Sequence, residues 1–184
     1  MRVSIFLGSK LQVASSFRQC VRVLMDAIKQ CCGDRVKIAY GGGITGCMQE
    51  VYEGAQRNHL QLLSVNCTKW ACPEDQKCAD VVYFDTILDR QNHLMRVGDA
   101  YIVCPGGVGT IFEFMQSITC NDVNEEKEKK PIYVLNYNNY FMHLIDFLEW
   151  GRKCGMITKT NEQLKLKFFD NGLDLAREIA RNLE

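Results

Sequence analysis

Residues 99–113 read DAYIVCPGGVGTIFE: an apolar run, a turn of one proline and three glycines, and then the start of an amphipathic stretch. DAYIV has the length and composition of a buried strand. CPGGVGT has too little side chain to be anything but a tight turn, and the residues after Thr110 have helical spacing. Strand, glycine turn and helix in that order make a βα junction of an α/β protein. The question this junction raises is what a turn with so few side chains holds, and why the carboxylate of Glu113 lies within one helical turn of it.

Working outward, the same alternation covers the chain. Apolar runs at 3–7 (VSIFL), 36–40 (VKIAY), 61–65 (QLLSV), 80–84 (DVVYF), 99–103 and 132–136 (IYVLN) read as strands. Between the first two, Phe17, Cys20, Val21, Leu24, Ala27, Ile28 and Cys31 recur at helical spacing, and Gly33 stands where that helix should end. Helices are expected near 46–58, 87–97, 109–121, 140–153 and 172–183. The pattern predicts an α/β fold, a doubly wound, mostly parallel, Rossmann-like sheet with helices on both faces. At 184 residues, with no repeat or linker, the chain reads as a single domain over 1–184.

Composition narrows the function. Lys plus Arg and Asp plus Glu both number 22, so no overall field recruits nucleic acid or an anionic membrane, and any anion site must be local. No run approaches the ~20 apolar residues of a membrane helix, and MRVSIFLGSK turns polar too soon for a signal peptide, so a cytoplasmic location is expected. The ten cysteines, several inside apolar runs (Cys20, Cys47, Cys104, Cys120), read as reduced thiols. Cys67, Cys72 and Cys78 have four and five residues between them, unlike the paired CxxC of a structural zinc site, and His59, His93 and His143 have no ligand spacing. No metal or other cofactor is expected.

In a parallel sheet, ligands bind beyond the carboxyl ends of the strands, where loops enter helix N-termini. CPGGVGT and YGGGITG (40–46) both belong there. Gly106, Gly107 and Gly109 would present backbone N–H groups to an anion, and Thr110 would add a hydroxyl or cap the helix. Gly41, Gly42, Gly43 and Gly46 could bring a second helix start toward the same ligand. No Lys stands after either turn as in a P-loop, and neither resembles GxGxxG followed by an acidic strand end, so a mononucleotide is a better fit than a dinucleotide. Thr110 and Glu113 share a helix face; TIFE is either a capping box or part of a site. Upstream, Arg90 and Arg96 stand on the helix before DAYIV, each either a charge partner or a surface residue with a packed stem.

These residues resemble the LOG (Lonely Guy) family, whose hallmark PGGxGTxxE is complete here as PGGVGTIFE, residues 105–113. Arg90, fifteen residues before the proline, matches the family's helix arginine, and Arg96 matches a second one. YGGGITGCMQE matches the family's first glycine segment, and IFLGSK matches its N-terminal strand and Gly-Ser turn, adding Ser9. The chain departs from the family pattern at DRQ (89–91), at Phe112 and at Gln49. The resemblance implies hydrolysis of the N-glycosidic bond of a nucleoside 5′-monophosphate, of the AMP or N6-substituted AMP (cytokinin) type, to free base and ribose 5-phosphate. It implies Glu113 and Arg90 as the catalytic pair. Gly106, Gly107, Gly109, Thr110, Gly42, Gly43, Ser9 and Arg96 are implied around the phosphate and nucleotide, in a homodimer with the site near its interface. Two other readings of the same cradle are a carrier that binds a nucleotide-like ligand without turnover, as relatives that carry molybdenum cofactor do, and a transferase that passes the ribosyl group to another base. Lysine decarboxylation has little support, since such chemistry relies on pyridoxal phosphate on a Schiff-base lysine and no lysine stands in the glycine-turn region. Trp70, in NCTKWACPEDQKCA (66–79), is either a base-stacking ring or a buried anchor.

Overall fold

A computed structural model describes residues 1–70 and 79–183. The strands are β1 (Arg2–Phe6), β2 (Lys37–Tyr40), β3 (Leu62–Cys67), β4 (Ala79–Phe84), β5 (Ala100–Val103), β6 (Ile132–Leu135) and β7 (Leu166–Phe169). The helices are α1 (Ser15–Cys32), α2 (Gly46–Arg57), α3 (Ile87–Val97), α4 (Val108–Val123), α5 (Met142–Lys153) and α6 (Gly172–Arg181). The described strands form one sheet in the order β4-β3-β2-β1-β5-β6-β7, and every pairing is parallel.

Parallel strands covered on both faces must be apolar on both, and the central ones are. On β1, β5 and β6 successive side chains enter opposite cores: Val3, Ile5, Ala100, Ile102, Tyr133 and Leu135 pack under α1, α2 and α6. Phe6, Tyr101, Val103, Ile132 and Val134 pack under α3, α4 and α5. The edge strands β4 and β7 are only partly buried, as their Asp80 and Lys167 suggest. Helix α1 turns its buried stripe inward and stops at Gly33, where φ is +59° and the N–H reaches the Lys29 carbonyl.

Two differences from the sequence reading are local. The seventh strand has no counterpart among the expected ones: LKFF is four residues long and half-exposed, and its lysine interrupts the apolar signal, so pairing with β6 makes it a strand. Strand β3 runs two residues beyond QLLSV, which places Asn66 and Cys67 inside the sheet instead of in a loop.

Strands β1 to β4 are laid down in one direction from β1, and β5 to β7 in the other. The chain therefore reverses its winding between β1 and β5, whose neighbours include Val3↔Ala100 and Phe6↔Val103. Their carboxyl ends open the crevice where α/β proteins bind ligands.

Candidate functional site

Four chain segments meet at that crevice. The turn after β1 is tied to the turn after β5 by a hydrogen bond from the Gly8 N–H to the Pro105 carbonyl (3.2 Å), and the Gly8 carbonyl accepts from the Met48 N–H (3.2 Å). Ser9 is exposed beside them, and its carbonyl accepts from the Thr45 hydroxyl at 2.7 Å. Gly43 lies against it, since a Cβ there would sit 3.6 Å from the Ser9 Cβ.

The glycines of CPGGVGT divide into two kinds. A Cβ on Gly106 would lie 2.1 Å from the Thr110 Oγ1 and 2.8 Å from the Gly8 nitrogen, so this turn closes onto its own helix only with glycine. The Tyr140 hydroxyl donates to the Gly106 carbonyl at 2.6 Å and pins the turn from the other side. Gly107 and Gly109, by contrast, are exposed, and a Cβ on either would meet nothing within 4 Å.

Gly107 is the N-cap of α4, and the first bond of that helix runs from the Ile111 N–H to the Gly107 carbonyl (3.0 Å). The N–H groups of Val108, Gly109 and Thr110 therefore have no acceptor within the helix. No side chain caps this end, and its first turn holds no acidic residue. TIFE is thus not a capping box: Thr110 and Glu113 begin three residues inside the helix, and both are buried on the face turned toward the sheet.

Glu113 meets Arg90 there. The guanidinium Nη1 lies 3.5 Å from the Glu113 Oε1, and both side chains are buried. Arg90 is held from two other directions: its Nε donates to the Val65 carbonyl and its Nη2 to the Gly41 carbonyl, both at 2.9 Å. With those hydrogen bonds made, the contact to Glu113 is a single long one and not a bidentate fork. Burial pushes the Glu113 carboxyl up to about 7, against the attraction of Arg90. Burial likewise lowers the Arg90 pKa, with Glu113 opposing the shift. The result is a carboxylate poised near neutrality beside a fixed cation.

The second glycine turn is shaped by a residue that sequence reasoning missed. Gly42 has φ +75°, and a Cβ on it would lie 2.0 Å from the Oδ1 of Asn66, at the buried end of β3. The Asn66 amide also donates to the Ser64 hydroxyl at 3.1 Å. A polar pair in an otherwise apolar strand, SVN, is the signal that could have found it. Tyr140, which anchors Gly106, has no comparable sequence signal.

The structure therefore brings together Glu113, Arg90, Gly106, Gly107, Gly109, Thr110, Gly42, Gly43 and Ser9. It does not bring Arg96. Six residues beyond Arg90, roughly 9 Å along a helix that runs back to the amino ends of the strands, Arg96 is exposed and paired with the His93 Nδ1 at 3.1 Å. The departures from the family pattern lie outside the Arg90–Glu113 contact. Asp89 completes the cap of α3, Phe112 is half-exposed, and Gln49 bridges α1 to α2, accepting from Arg18 at 3.0 Å and donating to Glu53 at 2.6 Å. Among the described residues no three His, Cys, Asp or Glu side chains converge as a metal set; Cys72 and Cys78 lie outside those residues. None of the described helices is long and apolar enough to cross a membrane.

Comparisons with known proteins bear on the fold and the family. The chain is 25% identical to a cytokinin riboside 5′-monophosphate phosphoribohydrolase of Arabidopsis thaliana, over all of this chain and 81% of that one. It is 24% identical to the phosphoribohydrolase of the same name from Rhodococcoides fascians, over 85% of this chain and 78% of that one. Among solved structures, the molybdenum cofactor binding protein of Rippkaea orientalis superposes with a TM-score of 0.69 at 15% identity, covering 99% of this chain and 96% of that one. The molybdenum cofactor carrier protein of Chlamydomonas reinhardtii gives 0.68 at 16% identity, with the same coverage. At that identity these two share the fold. The family model described as "Possible lysine decarboxylase" matches residues 39–179, from the end of β2 to the last helix, and the chain belongs to that family, the LOG family.

Proposed function

We propose that this protein hydrolyses the N-glycosidic bond of a nucleoside 5′-monophosphate, of the AMP or N6-substituted AMP type, to the free base and ribose 5-phosphate. The observation that carries this reading is a buried carboxylate, Glu113, paired with Arg90 one helical turn beyond the uncapped, glycine-lined start of α4.

The 5′-phosphate would lie on the N–H groups of Val108, Gly109 and Thr110, where the helix dipole favours an anion and the missing side chains of Gly107 and Gly109 leave it room. Glu113 then faces the ribose. As the bond to the base breaks, its electron pair leaves with the base and positive charge grows on C1′ and the ring oxygen. An ionised carboxylate stabilises that charge and orients the attacking water. One proton of that water ends on the base, and the hydroxyl ends on C1′. Arg90, fixed by two backbone carbonyls, is a positioning residue that keeps part of the Glu113 population ionised at neutral pH.

The same reading includes a homodimer. Ile87 and Leu88 at the start of α3, and Phe112 on α4, expose apolar side chains around the crevice, and a second copy of this chain would cover them. Light scattering at micromolar protein should give twice the monomer mass, and a monomer would count against it.

The decisive measurement is chromatographic release of free base from AMP, dAMP, GMP, CMP and N6-isopentenyl AMP, with Glu113→Gln alongside. Release that disappears in the variant supports hydrolysis and ranks the bases. Binding without release from any nucleotide would replace the hydrolase by a carrier, and consumption accelerated by added free bases would replace it by a transferase.

A further inference from the structure

We infer that Trp70 is the stacking wall for the base, so that the site selects large planar bases by their face and tolerates substituents on their edge. This rests on the reading above and adds the part of the ligand that the phosphate turn and Glu113 do not touch.

The indole is not a buried anchor: Trp70 is 50% exposed. It lies over the Arg90 guanidinium, with 5.8 Å from Cζ to the ring centroid. The backbone that carries it is tied down, the Trp70 main-chain N–H donating to the Cys67 carbonyl at 2.9 Å. Thr68 fastens the same turn to the start of α3, its N–H to the Phe84 carbonyl at 2.9 Å and its hydroxyl to the Asp85 carboxylate at 3.1 Å. Arg90 is already held by two carbonyls and Glu113, so it needs no aromatic partner to stay in place.

The order of groups assigns the role. Thr110 at the start of α4, Glu113 one turn on, Arg90 in contact with it and Trp70 over Arg90 follow one another as neighbours. A nucleoside monophosphate with its phosphate at the first of these and its ribose at the second carries its base toward the last. The base is the only part of that ligand with a flat apolar face, and a half-exposed indole is the matching surface. Stacking reads a π-face and is indifferent to the edge, so a purine should bind better than a pyrimidine, and an N6 substituent should cost little.

The test uses the full chain with Trp150→Phe, which leaves Trp70 as its single tryptophan, and Glu113→Gln to hold back turnover. AMP should quench the fluorescence, CMP should bind more weakly, and ribose 5-phosphate, lacking a base, should leave the signal unchanged while calorimetry records its binding. Trp70→Ala should weaken AMP roughly ten-fold or more and leave ribose 5-phosphate unchanged, whereas Trp70→Phe should keep most of the AMP affinity. Equal AMP affinity in Trp70→Ala and the parent would overturn the inference and leave the hydrolase reading standing. Trp70-dependent AMP binding by the wild-type protein without release of base would support the wall and sink the hydrolase. Failure of both AMP and ribose 5-phosphate to bind the wild-type chain would sink both.

Discussion

Two pairs of helix starts in this molecule are built differently. Helices α3 and α6 begin on Thr86 and Asn171, whose side-chain oxygens accept from the N–H of Asp89 (3.1 Å) and Asp174 (2.9 Å). The aspartates themselves put negative charge in the first turn, where the helix dipole favours it. Helices α2 and α4 begin after the two glycine turns with neither provision: no side chain caps their N–H groups, and their first turns hold no acidic residue. The hydroxyl at the start of α2, Thr45, points to the Ser9 carbonyl instead. Helices α1 and α5 also start without a side-chain cap or a first-turn acid, so an open start alone marks no site, and α2 and α4 are set apart by the glycine turns that lead into them at the crevice. A bound anion would supply the missing charge.

The largest effect should come from the group that the open start of α4 delivers the ligand to. Glu113→Gln should lower base release by about 10²-fold or more in steady-state assays while nucleotide binding by calorimetry persists; unchanged turnover would remove Glu113 from the mechanism. In the wild-type protein, release should rise with pH through about 7 as the buried carboxyl ionises. A raised folded pKa also means that the protonated form favours the folded state. That contribution is full below the unfolded value of 4.5 and lost as pH rises through about 7. Glu113→Gln should therefore melt higher than wild type at pH 8, by on the order of 3 kcal/mol at most, with the gap closing toward pH 5. A site that is costly to ionise and needed for chemistry should show this opposition of stability and activity.

A sharper comparison of the helix starts is to give α4 what α3 has. Val108 is 91% exposed at the first position of α4, and Val108→Asp adds the first-turn carboxylate that α4 lacks. Thermal stability should rise slightly, by about 0.3–1 kcal/mol, while nucleotide affinity falls roughly ten-fold or more as like charges meet. A variant that binds AMP as well as wild type would show that the phosphate lies elsewhere.

Gly109→Ala tests the same end without charge. Inside a helix and with open space around its Cβ, the alanine should be neutral or stabilise by up to about 1 kcal/mol, yet weaken nucleotide binding by filling the approach to the N–H groups. Gly106→Ala, which meets Thr110, should instead lose about 1–3 kcal/mol of stability. The smallest effect belongs to the completed start: Thr86→Ala should cost about 1 kcal/mol in denaturant titration and leave AMP affinity unchanged.

Much of this is legible before folding because it is local. Apolar runs, helical spacing and the glycine after α1 depend on residues a few positions apart, and the helix expected at 87–97 is α3, Ile87–Val97. The hallmark turn and Glu113 likewise lie within a single helical turn of each other. Arg96 shows where that stops: as an arginine on the correct helix it is indistinguishable in sequence from Arg90, and only the direction of α3 across the sheet sends one to the crevice and the other to the opposite edge.

The sequence by itself determined the alternation of strands and helices and the two glycine turns that open helix starts, since propensity, periodicity and turn chemistry act over neighbours in the chain. Tertiary structure alone decided that the β1 and β5 turns touch through Gly8 and Pro105 and that Asn66 shapes Gly42. It also decided that Arg90 spends its donors on Val65 and Gly41 before reaching Glu113, and that Trp70 covers it. The physical reason is that strand order and burial are set by pairings such as Val3 with Ala100, far apart in the chain, and only those pairings fix what a buried charge meets.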